Sequence, residues 1–172
     1  MQLVHIIGNI CAGKTTFSKW LQKQMKDSVL ISIDEYRIKY GDGSKLGEIN
    51  AWQVLIDDIE IYLTENKTVI FESSGTAWRT KYFPLGLAIY INTPLQECRN
   101  RIEKRGKTNV PWPYGGNPVN SLQPIQEKID QKVAYRQVHY PESIIITDND
   151  HFHEVLQHRN FLNFVNPINK TV

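Results

Sequence analysis

Five short apolar runs, Leu3 to Ile7, Val29 to Ile33, Thr68 to Phe71, Leu87 to Ile91 and Ile144 to Ile146, recur along a chain of 172 residues. Each is rich in β-branched residues and none alternates cleanly, which is the pattern of strands covered on both faces. Segments of helical period separate them. Phe17, Trp20, Leu21 and Met25 form one apolar stripe, Ile49, Trp52, Ile56, Ile59 and Leu63 a second, and Leu122, Ile125, Ile129 and Val133 a third. Strands that alternate with helices require right-handed crossovers and therefore a parallel sheet.

Prolines and glycines set the expected boundaries. Pro94 should open the helix that runs through Arg105, Pro141 should end the third striped helix, and Pro124 fits only a first helical turn. Residues 106 to 120 read as one long loop with several turn signals, and a loop of that length in a compact domain is usually a functional lid or disordered. The length suits one domain, residues 1 to 172, and 41% hydrophobic with 22% charged residues is the composition of an ordinary globular chain. Net charge is +2, which excludes a histone-like polycation but leaves room for a local basic patch. Two cysteines, Cys11 and Cys98, are too few for a disulfide framework and point to the cytosol. The first apolar run has no positive flank and is interrupted by Gly8, Asn9 and Lys14, so neither a signal peptide nor a membrane partner is expected.

Gly8, Asn9, Ile10, Cys11, Ala12, Gly13, Lys14 and Thr15 spell Gly, four free positions, then Gly-Lys-Thr, directly after the first run and directly before the first striped helix. This spacing and context mark a phosphate-binding loop. The glycines let the backbone curl so that its N–H groups point at phosphate oxygens, and the helix N-terminus adds partial positive charge. Lys14 is expected on the β- and γ-phosphates of ATP, Thr15 on Mg²⁺ through its hydroxyl, and Thr16 as a further donor. Cys11 is a small filler in a variable position of the loop.

The second run leads into Asp34, Glu35, Tyr36 and Arg37. In an open parallel sheet ligands gather beyond the carboxyl ends of the strands, so Asp34 and Arg37 should share a crevice with the phosphate loop. A carboxylate there accepts the proton of an attacking hydroxyl and ligates the metal, and an arginine one turn later holds an acceptor phosphate; the bland alternative is a helix cap with a solvated arginine. Switch GTPases are disfavoured, because no Asp-x-x-Gly follows the third run and no Asn-Lys-x-Asp follows the fourth. Glu72 ends the third run, where it either serves water on Mg²⁺, binds substrate or is an ordinary strand-end acid; Arg79 is a weaker candidate.

After Pro94 come Arg99, Arg101, Lys104, Arg105 and Lys107. Arg101 and Arg105 lie four apart on one helical face, a repulsion that a phosphoryl group would relieve, although Glu97 and Glu103 pair some of this charge. Arg101, Lys104, Arg105, Gly106, Val110 and Pro111 resemble the lid of the phage-type polynucleotide 5′-kinases, and Asp34, Tyr36 and Arg37 resemble that family's Asp-Asp/Glu-Tyr-Arg element. The resemblance covers roughly the first two-thirds of the chain. It implies ATP- and Mg²⁺-dependent phosphorylation of a nucleic acid 5′-end: Lys14 and Thr15 on the triphosphate and metal, Asp34 as base, Arg37 on the acceptor phosphate, and Arg105, with Arg101, on the transferring phosphoryl group. The lid would span residues 99 to 118. Glu72 and Ser73 depart from that family, whose third strand is followed by an Asp.

Phe71, Glu72, Ser73 and Ser74 also resemble the Phe-Glu-Arg-Ser element of deoxynucleoside kinases, with Ser73 in the arginine's place, so a nucleoside, nucleotide or other small-metabolite acceptor stays open. A non-catalytic nucleotide-binding module is a third possibility. The expected fold is that of a P-loop kinase: a five-stranded parallel sheet, order 2-3-1-4-5, with helices on both faces. Asp148 and Asn149, after the last run, suit the adenine side through backbone groups. His151 and His153 read as surface residues, His5 as a hydrogen-bonded core histidine, and Trp20 and Trp52 as core; Trp112 and Tyr114 could stack on bases.

Overall fold

The computed structural model describes residues 2–77, 86–106 and 117–166. Its five strands are β1 (Gln2–Gly8), β2 (Ser28–Ser32), β3 (Thr68–Ser73), β4 (Leu87–Ile91) and β5 (Ile144–Thr147). All four pairings are parallel and the strand order is β2-β3-β1-β4-β5. This is the expected sheet. Among the described residues six α-helices connect and cover it: α1 (Lys14–Gln24), α2 (Ile33–Tyr40), α3 (Lys45–Thr64), α4 (Leu95–Arg105), α5 (Pro118–His139) and α6 (Arg159–Val165).

β1 is central, and its alternation explains its unbroken apolar sequence. Val4 and Ile6 pack with Phe17 and Leu21 of α1 and Phe161 of α6, while Leu3 packs with Trp52, Leu55 and Ile59 of α3 and Ile7 with Ile129 and Val133 of α5. Each face of the strand therefore meets a helix layer. Burial of each such aliphatic side chain is worth about 1.5–3 kcal/mol.

Three sequence expectations shift. The α3 stripe is rotated: Ile49 is 37% exposed, and Ala51 and Leu55 take the buried positions beside Trp52, Ile59 and Leu63. α5 begins at Pro118, capped by Asn117 whose side chain accepts from the Val119 N–H, so Pro124 lies inside the helix and residues 118–120 are not loop. The bond that Pro124 cannot donate would have gone to the carbonyl of Asn120, an exposed residue near the helix start, where solvent satisfies it. Finally, β3 runs on to Ser73, which keeps Glu72 inside the sheet.

His5 sits on β1 in the core, stacked on Phe71 at 4.6 Å, with Nε2 and the Ser73 hydroxyl 2.8 Å apart. Burial, reinforced by the charges of Arg136 and Lys132, pushes its pKa down to about 3. The unfolded chain therefore holds a proton on His5 that the folded chain does not between that value and about 6.5, so His5 contributes stability at neutral pH that is lost as pH falls through this window. Between pH 6.5 and 5, above most carboxylate titrations, the loss per pH unit grows from about 0.7 to about 1.4 kcal/mol as the unfolded histidine takes up its proton. In urea titrations His5→Gln should flatten this pH dependence; equal slopes in the two proteins would refute the assignment.

Candidate functional site

Beyond the carboxyl ends of β1, β2 and β3 lies a cleft of about 1650 Å³. Its floor is the loop between β1 and α1. Cys11 and Gly13 adopt left-handed φ values of 56° and 97°, which curl the backbone into the first turn of α1. Gly13 is needed twice over: a Cβ there would also overlap the Asn149 amide oxygen, with Arg101 Nη1 3.5 Å away. Ile10 to Thr16 line the cleft, whereas Gly8 and Asn9 are buried behind them. The Asn9 side chain donates to the Leu122 carbonyl at 2.9 Å and to Gln126 Oε1 at 3.0 Å, and accepts from the Ile10 N–H, so it braces the loop against α5.

Lys14 donates to the Asn9 carbonyl at 2.7 Å. Burial lowers its pKa, and the carboxylates of Asp34 and Glu72 act in the opposite direction. Thr15 donates its hydroxyl proton to Glu72 Oε1 at 3.0 Å. Glu72 is 5% exposed, and its other oxygen, Oε2, is buried without a hydrogen-bond partner among the described residues. An orphaned carboxylate oxygen costs its full desolvation, and one placed beside a loop hydroxyl fits a divalent cation or the water on it. Thr15 and Glu72 are thus the described pair best suited to Mg²⁺, and Asp34 lines the same cleft.

Asp34 and Arg37 come from the first turns of α2, which opens at Ile33, where β2 has ended. Arg37 Nη1 donates to Asp34 Oδ1 at 3.0 Å. A third residue, absent from the sequence expectations, joins them. Glu48 of α3 takes Arg37 Nε and Nη2 on its two oxygens at 2.9 and 2.7 Å, and Oε1 also accepts from Trp52 Nε1 at 2.8 Å. Burial alone would lower the Arg37 pKa, but Glu48 and Asp34 outweigh it and hold the guanidinium above its ordinary range. The fork of Arg37 is therefore occupied by an acid, and the arginine orients Asp34, which is itself half exposed to the cleft. The sequence signal for Glu48 was its place four residues before a buried Trp on the same helical face.

From the other side, α4 reaches over the loop. Arg101 Nη1 donates to the Cys11 carbonyl at 3.1 Å and Nη2 pairs with Glu97, so this arginine is a brace between helix and loop. Arg105, at the end of α4, also lines the cleft and is exposed. The expected lid, 99 to 118, is described only up to Gly106 and from Asn117; Lys107, Val110, Pro111, Trp112 and Tyr114, like Arg79, lie outside the described residues. On the β4–β5 side, Asn149 donates through its side chain to Thr93 Oγ1, which donates to the Ala12 carbonyl, each at 2.8 Å. The Asn149 amide is therefore linked to the loop by way of Thr93. Asp148 is engaged by the N–H groups of Asp150 and His151 and by the His151 ring, away from the cleft.

No protein-family model matches the chain, and no curated protein matches it by sequence. Solved structures do. A shikimate kinase from Acinetobacter baumannii in complex with shikimate superposes with a TM-score of 0.62 at 21% identity, over 100% of this chain and 96% of that one. A sugar kinase from Janibacter sp. HTCC2649 gives 0.61 at 12% identity, over 95% of each chain. A chain of the Pnkp1/Rnl/Hen1 RNA repair complex gives 0.62 at 17% identity over 78% of this chain, which spans 45% of that one. The fold is that of P-loop kinases. No helix among the described residues is long and apolar enough to cross a membrane.

Proposed function

We propose that the chain is a phosphotransferase that moves the γ-phosphate of ATP to an acceptor hydroxyl, and that this acceptor is the 5′-hydroxyl of a polynucleotide. One observation carries the reading: a carboxylate held by an arginine, Asp34 on Arg37, faces the same cleft as the loop lysine Lys14 and the orphaned carboxylate Glu72. A phosphate-holding loop alone serves hydrolases, switches and kinases equally; a poised base opposite it is what a hydroxyl acceptor requires.

In this reading Ile10 to Thr16 and Lys14 bind the triphosphate, and Thr15, Glu72 and Asp34 hold Mg²⁺, which when bound neutralises charge on the phosphates. Asp34 orients the acceptor hydroxyl and takes its proton on a carboxylate oxygen, while Arg37, held by Glu48, keeps the carboxylate aimed. Arg105 stabilises charge on the transferring group, and Arg101 fixes α4 on the loop so that Arg105 is in reach. Catalysis is positioning plus electrostatics.

The polynucleotide acceptor rests on the Asp34-Tyr36-Arg37 element and the arginine segment ending at Arg105. The match over nearly the full length of a shikimate kinase favours a second reading, a small-metabolite acceptor on the same scaffold. Incubation with γ-labelled ATP and Mg²⁺ decides between them, with a 5′-hydroxyl oligonucleotide, nucleosides, shikimate or no acceptor present. Label on the oligonucleotide is expected, and Lys14→Met should abolish it together with ATP binding. Label on small acceptors only would select the second reading, and ATP binding without transfer to any acceptor would overturn phosphotransfer.

A further inference from the structure

α5 carries a row of cations without helical counterions. Lys128, Lys132 and Arg136 are spaced four apart, and for the two lysines no Asp or Glu stands three or four residues away in either direction. Like charges at this spacing repel along a helix, so each needs a partner from elsewhere. Arg136 is buried and donates to the Gly86 carbonyl and to the carbonyl and hydroxyl oxygens of Ser143; burial brings its pKa down only to about 10, so it stays charged at neutral pH. Lys132 donates to the Ala77 carbonyl at 3.2 Å, and burial together with the Lys128 charge lowers its pKa. Two members of the row are thus tied to backbone at the bases of the β3 and β4 connections.

Lys128 differs. It is exposed, it lines the cleft together with Ser121 and Ile125 of its own helix and Ser74 and Thr76 beyond β3, and among the described residues no carboxylate lies within ion-pair distance of it. The other cations of the cleft have duties: Lys14 on the loop, Arg37 in the grip of Glu48 and Asp34, and Arg101 on Cys11 and Glu97. Arg105, exposed at the end of α4, is assigned above to the transferring group.

We propose that Lys128, with hydroxyl groups of the facing wall, binds an anionic group of the acceptor, a phosphate or a carboxylate next to the reacting hydroxyl. This deepens the phosphotransfer reading by moving the anchor of the acceptor's charge from Arg37, whose fork is spent on Glu48, to the helix that follows the lid. In a polynucleotide the group is the phosphodiester beside the terminal nucleoside; in a small acceptor it is a carboxylate. Arg37 then serves the base, and Lys128 serves the substrate.

Equilibrium binding tests this with Mg²⁺ and a non-hydrolysable ATP analogue present. The probes are a nucleoside 3′-monophosphate against the matching nucleoside, and D-glycerate against glycerol. Lys128→Gln should weaken one anionic probe about tenfold and leave its neutral counterpart unchanged. Lys128→Arg should keep most of the affinity, and the exposed position should leave the unfolding midpoint unmoved. Loss confined to the phosphate or to the carboxylate identifies the source of the anion. Equal affinities of wild type and Lys128→Gln for both anions, or no anion binding by the wild type, would overturn the proposal. Lys128-dependent anion binding without phosphoryl transfer in the labelled-ATP assay would instead overturn the phosphotransfer reading and leave this one standing.

Discussion

Asp34→Asn is expected to keep ATP binding and to lose phosphoryl transfer by about 10²- to 10⁴-fold, the range in which a positioned general base contributes. The substitution is nearly isosteric. An amide oxygen at the place of Oδ1 still accepts from Arg37 Nη1, so the bond that orients the side chain survives while the capacity to take a proton does not. ATP titration and single-turnover transfer on the same preparation separate the two effects. Retained ATP affinity with transfer within a few-fold of the wild type would remove Asp34 from the chemistry. A parallel fall in ATP affinity, equal to the loss of transfer, would leave Asp34 its metal role alone and remove it as base.

The second large effect is expected at Glu48. Its carboxylate accepts from Nε and Nη2 along one edge of the Arg37 guanidinium and from Trp52, and the side chains of the ion pair are only 13–15% exposed. Removing one partner of such a pair leaves a charge with poor access to water, at a cost of about 3 kcal/mol. Glu48→Ala should therefore lower the urea midpoint substantially. It should also reduce kcat more than the KM for ATP, because Asp34 loses its fixed partner while the phosphate loop is untouched. Glu48→Gln, which still accepts on one oxygen, should fall between. A double-mutant cycle with Asp34→Asn should be markedly non-additive in kcat, since both residues act through Arg37. Additive losses would mean that Glu48 supports the fold and nothing more.

How much of this was visible in the residues depends on what each one contacts. The five strands were legible because β1, β3 and β4 are covered on both faces and carry uninterrupted β-branched sequence, and the curl between β1 and α1 because its glycine spacing reflects backbone angles such as the φ of 97° at Gly13. The start of α5 was misplaced although Asn117 followed by Pro118 is a start signal, because Pro124 was given more weight than an exposed early turn warrants. The rotation of α3 was missed because Ile49 and Leu55 are equally apolar in sequence and only packing against the sheet chooses between them. The pairing of Glu48 with Arg37, unlike its place beside Trp52, was out of reach for another reason. Arg37 lies eleven positions earlier, on a different helix, and no periodic rule connects them. The side-chain bonds of Asn9 to α5 and of Asn149 to Thr93 were not legible, because each depends on a partner far away in the sequence.

The bracing of the loop has a mechanical outcome. On one flank the Cys11 carbonyl is tied to Arg101, eleven-residue α4's inward-reaching side chain; on the other, Asn9 is tied to the Leu122 carbonyl in the second turn of α5. Helices α4 and α5 are thus both fastened to three consecutive loop residues, Asn9 to Cys11, so a shift of this tripeptide pulls on the two helices at once.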